Sequence, residues 1–225
     1  MAKYRVIKSF SDKYPNIGPI MWMLSFQYFL TQYIVANGWA NSYSLTKNTI
    51  SDLGNTVCAL RSNGYVCSPL HSLMNASFVT LGVFMAIGSL LIYQEFKESL
   101  RTLIGFSCML IAGVGTILVG IFPENTISVL HGIGAFLPFF IGNLGILILG
   151  ITLNIPKLLR NFTQATGIVA LIAFFLFVSH IYLGIGRGGM ERVTAYPQTL
   201  WLIIFGIYIS KNHYLKLKTK PNSIK

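Results

Sequence analysis

Six runs of apolar residues, each near the length of a bilayer-crossing helix, constrain this 225-residue chain more than any other feature. They fall at about 17–36, 71–94, 102–122, 127–153, 164–186 and 197–210. A hydrocarbon core about 30 Å thick takes about 20 apolar residues in a helix. Backbone amides find no water there, so helices are the form these runs must take. Charged residues make up only 10% of the chain, against about 25% in soluble domains. The reading is an all-α polytopic membrane protein, a six-transmembrane-helix bundle with a single membrane domain over residues 17–210. A basic segment, 1–16, precedes it and a basic tail, 211–225, follows. The first run has the wrong flanks for a cleaved signal peptide and no small-residue cleavage site, so it reads as a retained span.

An even number of spans puts both termini on one side. On that side lie Lys3, Arg5, Lys8, Lys13, Lys97, Arg101, Lys157, Arg160, Lys211, Lys216, Lys218, Lys220 and Lys225, 13 of the 17 Lys and Arg. Only Lys47, Arg61, Arg187 and Arg192 fall on the other. The positive-inside rule makes both termini cytoplasmic. The net charge of +11 is then a topology signal with membrane lipids as the contact, and nucleic acid is not expected as a partner.

The exoplasmic side carries a long loop, 37–70, and shorter connections at 123–126 and 187–196. The loop is polar, with Asn41, Asn48, Asn55, Asn63, Gly54 and Gly64. Loops of this length are functional or disordered more often than plain connections. Cys58 and Cys67 lie in it; in an oxidising compartment they can close it as a disulfide, or stay free. Cys108, within the third run, reads as a small packing residue. Tyr4, Val6, Ile7 and Phe10 alternate with basic residues, as in a short interfacial helix or a disordered segment. Glycines crowd the third and fourth runs, which suits close helix packing in lipid, and Pro138 should kink the fourth.

The few ionisable residues that are not cytoplasmic gather near one membrane face. They are Asp52, His71, Glu124, His131, His180, Arg187, Glu191 and Arg192. Such a cluster in a membrane protein is a functional-site hypothesis. His180, six residues before the expected end of the fifth span, should lie about 9 Å below the surface. In this reading Glu124 and His131 act as acid and base, with Asp52 as an alternative carboxylate. His180 supports them or binds a metal, and Arg192 clamps an anion. Arg187, Glu191 and His71 complete the binding set. Each residue also has a plain structural reading. Glu124 can complement a helix dipole, and Thr49 with Asp52 fits a capping box. Arg187 and Arg192 can pair with Glu191 or rest in headgroups, and His71 can be an ordinary interfacial residue. Three His and three carboxylates could hold zinc, but no His-x-x-x-His or His-Glu-x-x-His is present, so metal and cofactor stay open. The run Gly184-Ile185-Gly186-Arg187-Gly188-Gly189 follows a span rather than a strand and reads as a turn, not a nucleotide loop. A turn of that kind can still offer backbone N–H groups to an anion.

Several stretches resemble one known family. Thr49-Ile50-Ser51-Asp52-Leu53-Gly54 is similar to its first motif, after the first span. Asn75 to Gly82 resembles its second-span pattern. Gly120-Ile121-Phe122-Pro123-Glu124-Asn125 with His131-Gly132 resembles its central motif. Gly189-Met190-Glu191-Arg192-Val193 with Tyr196-Pro197 and Trp201 resembles its last. These are marks of the DUF998 family of prokaryotic integral membrane proteins, over about residues 18–210. The resemblance implies a six-span bundle in a prokaryotic cell membrane and no particular activity. The loop with Cys58 and Cys67 departs from the family pattern.

Three functions stay open on the sequence. The chain is an enzyme acting on a lipid or lipid-linked headgroup, a non-enzymatic binding or transport protein, or a structural subunit packing through its glycine-rich faces. The span middles hold no charge, only Pro138 and Asn143, which counts against ion-coupled transport.

Overall fold

Local chemistry sets where the apolar runs begin and end as helices. Residues 2–61, 64–96 and 99–219 are described in the computed structural model. Asn63, Lys97, Lys220 and Lys225 of the sequence reading lie outside the described residues. The helices are α1 (Ala2–Lys13), α2 (Ile17–Leu24), α3 (Gln27–Asn37), α4 (His71–Tyr93), α5 (Leu100–Ile121), α6 (Ser128–Phe136), α7 (Asn143–Thr152), α8 (Lys157–Val178) and α9 (Gly186–Thr219). Ser99 starts α5: its side chain accepts from the Thr102 amide, 3.1 Å away, filling one of the orphan donors of the first turn. Pro156, which cannot donate, stands just before α8. The N-terminal segment takes the helical alternative, and Ser11 of α1 donates to the Leu91 carbonyl of α4.

Five helices are long and apolar enough to cross a membrane: His71–Tyr93, Leu100–Ile121, Ser128–Thr152, Lys157–Val178 and Gly186–Leu215. The first apolar run does not add a sixth long helix, because it divides at Ser25 and Phe26 into α2 and α3. The fourth contains a π segment, Leu137–Gly142, at the position of Pro138, where the sequence predicts a kink. Proline lacks an amide hydrogen, and side chains meet the backbone groups of this stretch. Asn143 donates to the Phe139 carbonyl (2.8 Å) and Gln198 to that of Pro138 (3.2 Å).

The last two spans differ from the sequence reading. The fifth was expected over 164–186, yet α8 ends at Val178. Residues 179–185 form a turn in which His180 and Leu183 adopt positive φ. The sixth was expected to begin at Pro197, after a turn at 187–196. Instead α9 begins at Gly186 and runs through Pro197. Asn143 donates to the carbonyl of Thr194 in the turn that Pro197 disturbs, so a neighbouring helix meets part of the proline's cost.

The spans pack in chain order and close into a ring. α4 lies on α5, α5 on the α6–α7 span, α7 on α8, α8 on α9, and α9 returns to α2. Backbones come close where α4 crosses α5: a Cβ on Gly113 would stand 2.6 Å from the Gly82 carbonyl. Small residues permit such approach where lipid supplies no hydrophobic drive. Toward the termini the bundle is filled by Trp22, Phe106, Trp201 and Phe205, with ring centroids 4.8 to 6.3 Å apart. The opposite end is closed by the long loop. A disulfide joins Cys58 to Cys67, stapling a hairpin of β1 (Ala59–Arg61) and β2 (Gly64–Val66) paired Ala59 to Val66.

Candidate functional site

The loop does not lie over the bundle but descends into it. Its segment Asn48–Asn55 is almost wholly buried, with Ile50 and Leu53 in the core. A short 3₁₀ turn, Ser51–Gly54, shapes it. The Thr49 amide donates to Asp52 (2.9 Å) and the Asp52 amide to Thr49 Oγ1 (3.0 Å). This reciprocal pair is the capping box expected from Thr49-x-x-Asp52. The glycines of α9 make room for the descent. A side chain at Gly188 would meet the Asn48 carbonyl, and one at Gly186, whose φ is +75°, would meet Thr46. The amides of Gly188 and Gly189 donate to the Thr46 carbonyl. The glycine run therefore binds the protein's own loop through N–H groups that the sequence reading left open to an anion.

Three side chains from three parts of the chain meet at this plug. Glu191 of α9 accepts from the Ile50 amide and, at 3.1 Å, from the Ser51 hydroxyl. His131 of α6 brings its Nε2 within 3.1 Å of Ser51 Oγ. Its Nδ1 lies 2.9 Å from the Phe122 carbonyl. A carbonyl only accepts, so Nδ1 carries the hydrogen and the neutral ring presents a lone pair at Nε2 to Ser51. Glu191 and His131 are 3% and 7% exposed, and Ser51, between them in the relay Glu191–Ser51–His131, is half-buried. Polar groups buried in this way are kept in place by full satisfaction of their hydrogen bonds.

The relay forms one wall of a cavity of about 340 Å³. Thr49, Ser51, Glu124, His131, Arg187 and Glu191 supply its polar lining. Phe136, Phe139, Phe174 and Phe177 supply an aromatic one. Pockets with a few converging polar groups on an apolar wall are the usual form of ligand sites. Arg187 lines it half-buried and forms no hydrogen bond or ion pair among the described residues.

The structure brings Glu124, His131, Arg187 and Glu191 to one cavity. Glu124 accepts from Asn55 (2.9 Å) and lies 3.8 Å from Arg61. Asp52 sits behind this wall, joined to Glu124 through Asn55. Burial, and then the nearby Glu124 charge, raise the Asp52 carboxyl above its ordinary value.

Three residues fall elsewhere. His180 lies past the end of α8, exposed, with Nδ1 near the Tyr182 hydroxyl (3.0 Å); it is not 9 Å deep in a span because that span ends two residues earlier. His71 starts α4 and contacts the Ser68 carbonyl. Arg192 forms no ion pair with Glu191 and donates to the carbonyls of Leu45, Asn48 and Gly188 and to the Tyr43 hydroxyl. Among the described residues no three His, Cys, Asp or Glu side chains converge as a metal site would need.

Sequence reasoning passed over Ser51, the central member of the relay, although it stands in the Thr49–Gly54 motif. It also passed over Asn55, Gln198 and Tyr43, because neutral polar residues do not stand out in a charge count.

A family described as a protein of unknown function (DUF998) matches residues 24–208. No curated protein matches the chain, and no solved structure does.

Proposed function

The chain belongs to the DUF998 family, and from that premise we propose that it is a membrane-embedded enzyme cleaving or transferring an ester-linked lipid, with Ser51 as nucleophile and His131 as base. One observation carries the reading: Ser51 Oγ lies 3.1 Å from His131 Nε2 at the edge of an aromatic-walled cavity. A serine hydroxyl becomes a nucleophile when a neighbouring base takes its proton, and the base needs a third group to orient it. Here the Phe122 carbonyl holds Nδ1–H, as a carboxylate does in other serine–histidine sites.

The chemistry divides into two steps. Ser51 Oγ attacks the ester carbonyl while His131 Nε2 takes its proton, and the protonated ring then gives that proton to the leaving alcohol. Water, activated in turn by His131, cleaves the acyl–serine and returns the hydroxyl; a second alcohol in place of water gives transfer. Glu191 takes part in the proton balance. With Glu191 protonated, its hydrogen points to Ser51 Oγ and the serine hydrogen is free for His131. With Glu191 ionised, it holds the serine hydrogen and restrains the nucleophile. Arg187, at the same cavity, suits a headgroup phosphate. Phe136, Phe139, Phe174 and Phe177 suit an acyl chain.

The membrane setting follows the same proposal. α2 and α3 together act as a sixth span: Ser25 and Phe26 keep helical angles (φ −56° at each) through the break. Residues 17–37 then cover about 31 Å at 1.5 Å per residue. The Lys and Arg bias puts both termini in the cytoplasm and the cavity at the outer face of a prokaryotic cell membrane.

A second reading rests on a smaller cavity of about 40 Å³ behind the relay, also lined by Ser51 and Glu191 and continued by Thr116, Gln198 and Thr199. Polar groups leading from the site toward the bundle centre suit a proton or ligand path without catalysis.

The test is covalent labelling of the detergent-purified full chain with a fluorophosphonate probe, beside hydrolysis of p-nitrophenyl octanoate. Labelling of the wild type at Ser51, absent in Ser51→Ala and His131→Gln proteins of unchanged melting temperature, supports the enzyme. Folded wild type that neither labels nor hydrolyses the ester overturns it in favour of the path.

A further inference from the structure

Arg192 is 7% exposed, yet no carboxylate among the described residues forms an ion pair with it. The ion pairs among the described residues are Arg61 with Glu124 and Glu95 with His213. All its hydrogen-bond acceptors are neutral: three backbone carbonyls and the Tyr43 hydroxyl. Its Nε is buried without a partner. Buried cations are normally matched by an opposite charge, because hydrogen bonds to neutral groups offset desolvation only in part.

The same side chain lines a second cavity, of about 480 Å³. It lies between α3 and α9 and shares no lining residue with the cavity at Ser51. Glu191 and Arg192 are consecutive on α9, about 100° apart around the helix, and so address different cavities. The polar lining of the second one comes from Arg192, Tyr43, Gln32, Asn37 and Tyr196, whose hydroxyl donates to Gln32 (2.8 Å). The remaining wall is apolar or aromatic, from Phe29, Tyr33 and Ala36 of α3 with Leu45 and Leu53 of the loop. Beyond it, the outer face of α3 stays exposed at Leu30, Tyr33 and Ile34, as a lipid-facing surface does.

We propose that this second cavity binds an anionic phospholipid, with its phosphate beside Arg192 and Tyr196, whose hydroxyl turns to it from Gln32 while Tyr43 keeps the Thr49 carbonyl, and an acyl chain along α3. A phosphate offers the planar guanidinium the geometry it pairs with best. An amphiphile alone matches both the buried cation at one end and the exposed apolar helix at the other. Bound there, the lipid also bears on the loop that Arg192 holds, since Leu45 and Asn48 precede Ser51 by only a few residues. The proposal concerns lipid binding and stands whether or not Ser51 is a nucleophile.

The test is thermal unfolding of the purified full chain in detergent micelles doped with dioleoyl phosphatidylglycerol. Parallel titrations use dioleoylglycerol, which lacks the phosphate, and inorganic phosphate, which lacks the chains. Phosphatidylglycerol should raise the melting temperature saturably, by about 5 °C or more well above its dissociation constant, while the other two leave it within about 1 °C. The Ala36→Trp variant, which fills the cavity from the α3 side, should lose the response. Tyr196→Phe removes one hydroxyl with little change in volume and should weaken apparent affinity about five- to tenfold; it carries the test should Ala36→Trp not fold. No response to phosphatidylglycerol overturns the proposal, as does an equal response to dioleoylglycerol. A response as large with inorganic phosphate alone replaces the lipid by the free anion and overturns it as well. Unchanged affinity in Tyr196→Phe, or an undiminished response in folded Ala36→Trp, places the lipid elsewhere.

Discussion

The two ends of this bundle are built in opposite ways. Toward the termini Trp22, Phe106, Trp201 and Phe205 fill the interior, and the Trp201 indole has a dedicated acceptor in Thr163, 2.9 Å away. Toward the long loop the interior holds Asp52, His131, Glu191 and Arg192. The difference shows how a small membrane protein can carry buried ionisable groups. One end supplies rigid aromatic packing, and the other uses that rigidity to hold polar groups in a fixed geometry that lipid alone would not allow. Damage at the two ends should therefore differ in kind: loss of fold at one, loss of chemistry at the other.

The largest effect is expected for Ser51→Ala, which should cut ester hydrolysis about a thousandfold or more and move the melting temperature by no more than about 2 °C. Equal loss of fold and activity would erase the distinction. Trp22→Ala should do the reverse. Emptying its place should cost about 3–5 kcal/mol of stability, read as a lower detergent-denaturation midpoint, while the protein still folded labels at Ser51. Gly188→Ala comes next. Its methyl meets the Asn48 carbonyl, so the loop should lift and fluorophosphonate labelling should slow about tenfold. A labelling rate within twofold of wild type would show that the loop has slack at that point.

The smallest effect concerns pH. Asp52 binds its proton more tightly folded than unfolded, since burial and then the Glu124 charge raise its carboxyl. As pH rises from the ordinary value of 3.8 through the folded one, the unfolded chain releases its proton first and the fold loses stability. Asn keeps an acceptor for the Thr49 amide and has no proton to lose. Asp52→Asn should therefore flatten the pH dependence in that window and shift stability by only about 1 kcal/mol. A pH profile identical to wild type would remove Asp52 from the account.

Much of this architecture could be read in the residues. Apolar length gave the membrane class, Thr49 and Asp52 gave a capping box that the hydrogen bonds reproduce, and Cys58 and Cys67 gave a loop that a disulfide does close. The chain's matched family was also visible in the ordered motifs from Thr49 to Trp201. What stayed hidden depended on neighbours. Pro197 reads as the start of a helix, and the sequence does not show the Asn143 side chain that donates to the Thr194 carbonyl beside it. Glu191 and Arg192 lower the hydropathy of 187–196 enough to suggest a turn. In the fold their polar atoms meet loop amides, a hydroxyl and carbonyls, so the helix can hold them. Two adjacent charges also look like one site in a sequence, and the helical rotation between them sends them to two. His180 was misplaced because hydropathy continues past Val178, while the backbone does not.

The closed ring has a consequence for biosynthesis. The groups of Glu191 that hold Ile50 and Ser51 lie 141 and 140 residues later, on α9, which is made after α2 to α8. Until α9 is in the membrane, the first loop has no acceptor for its amide and no floor to rest on. These contacts of the loop are thus absent from any nascent intermediate that lacks α9 and form when α9 takes its place beside α2. A growing chain cannot close this loop on Glu191 before the α9 segment is made.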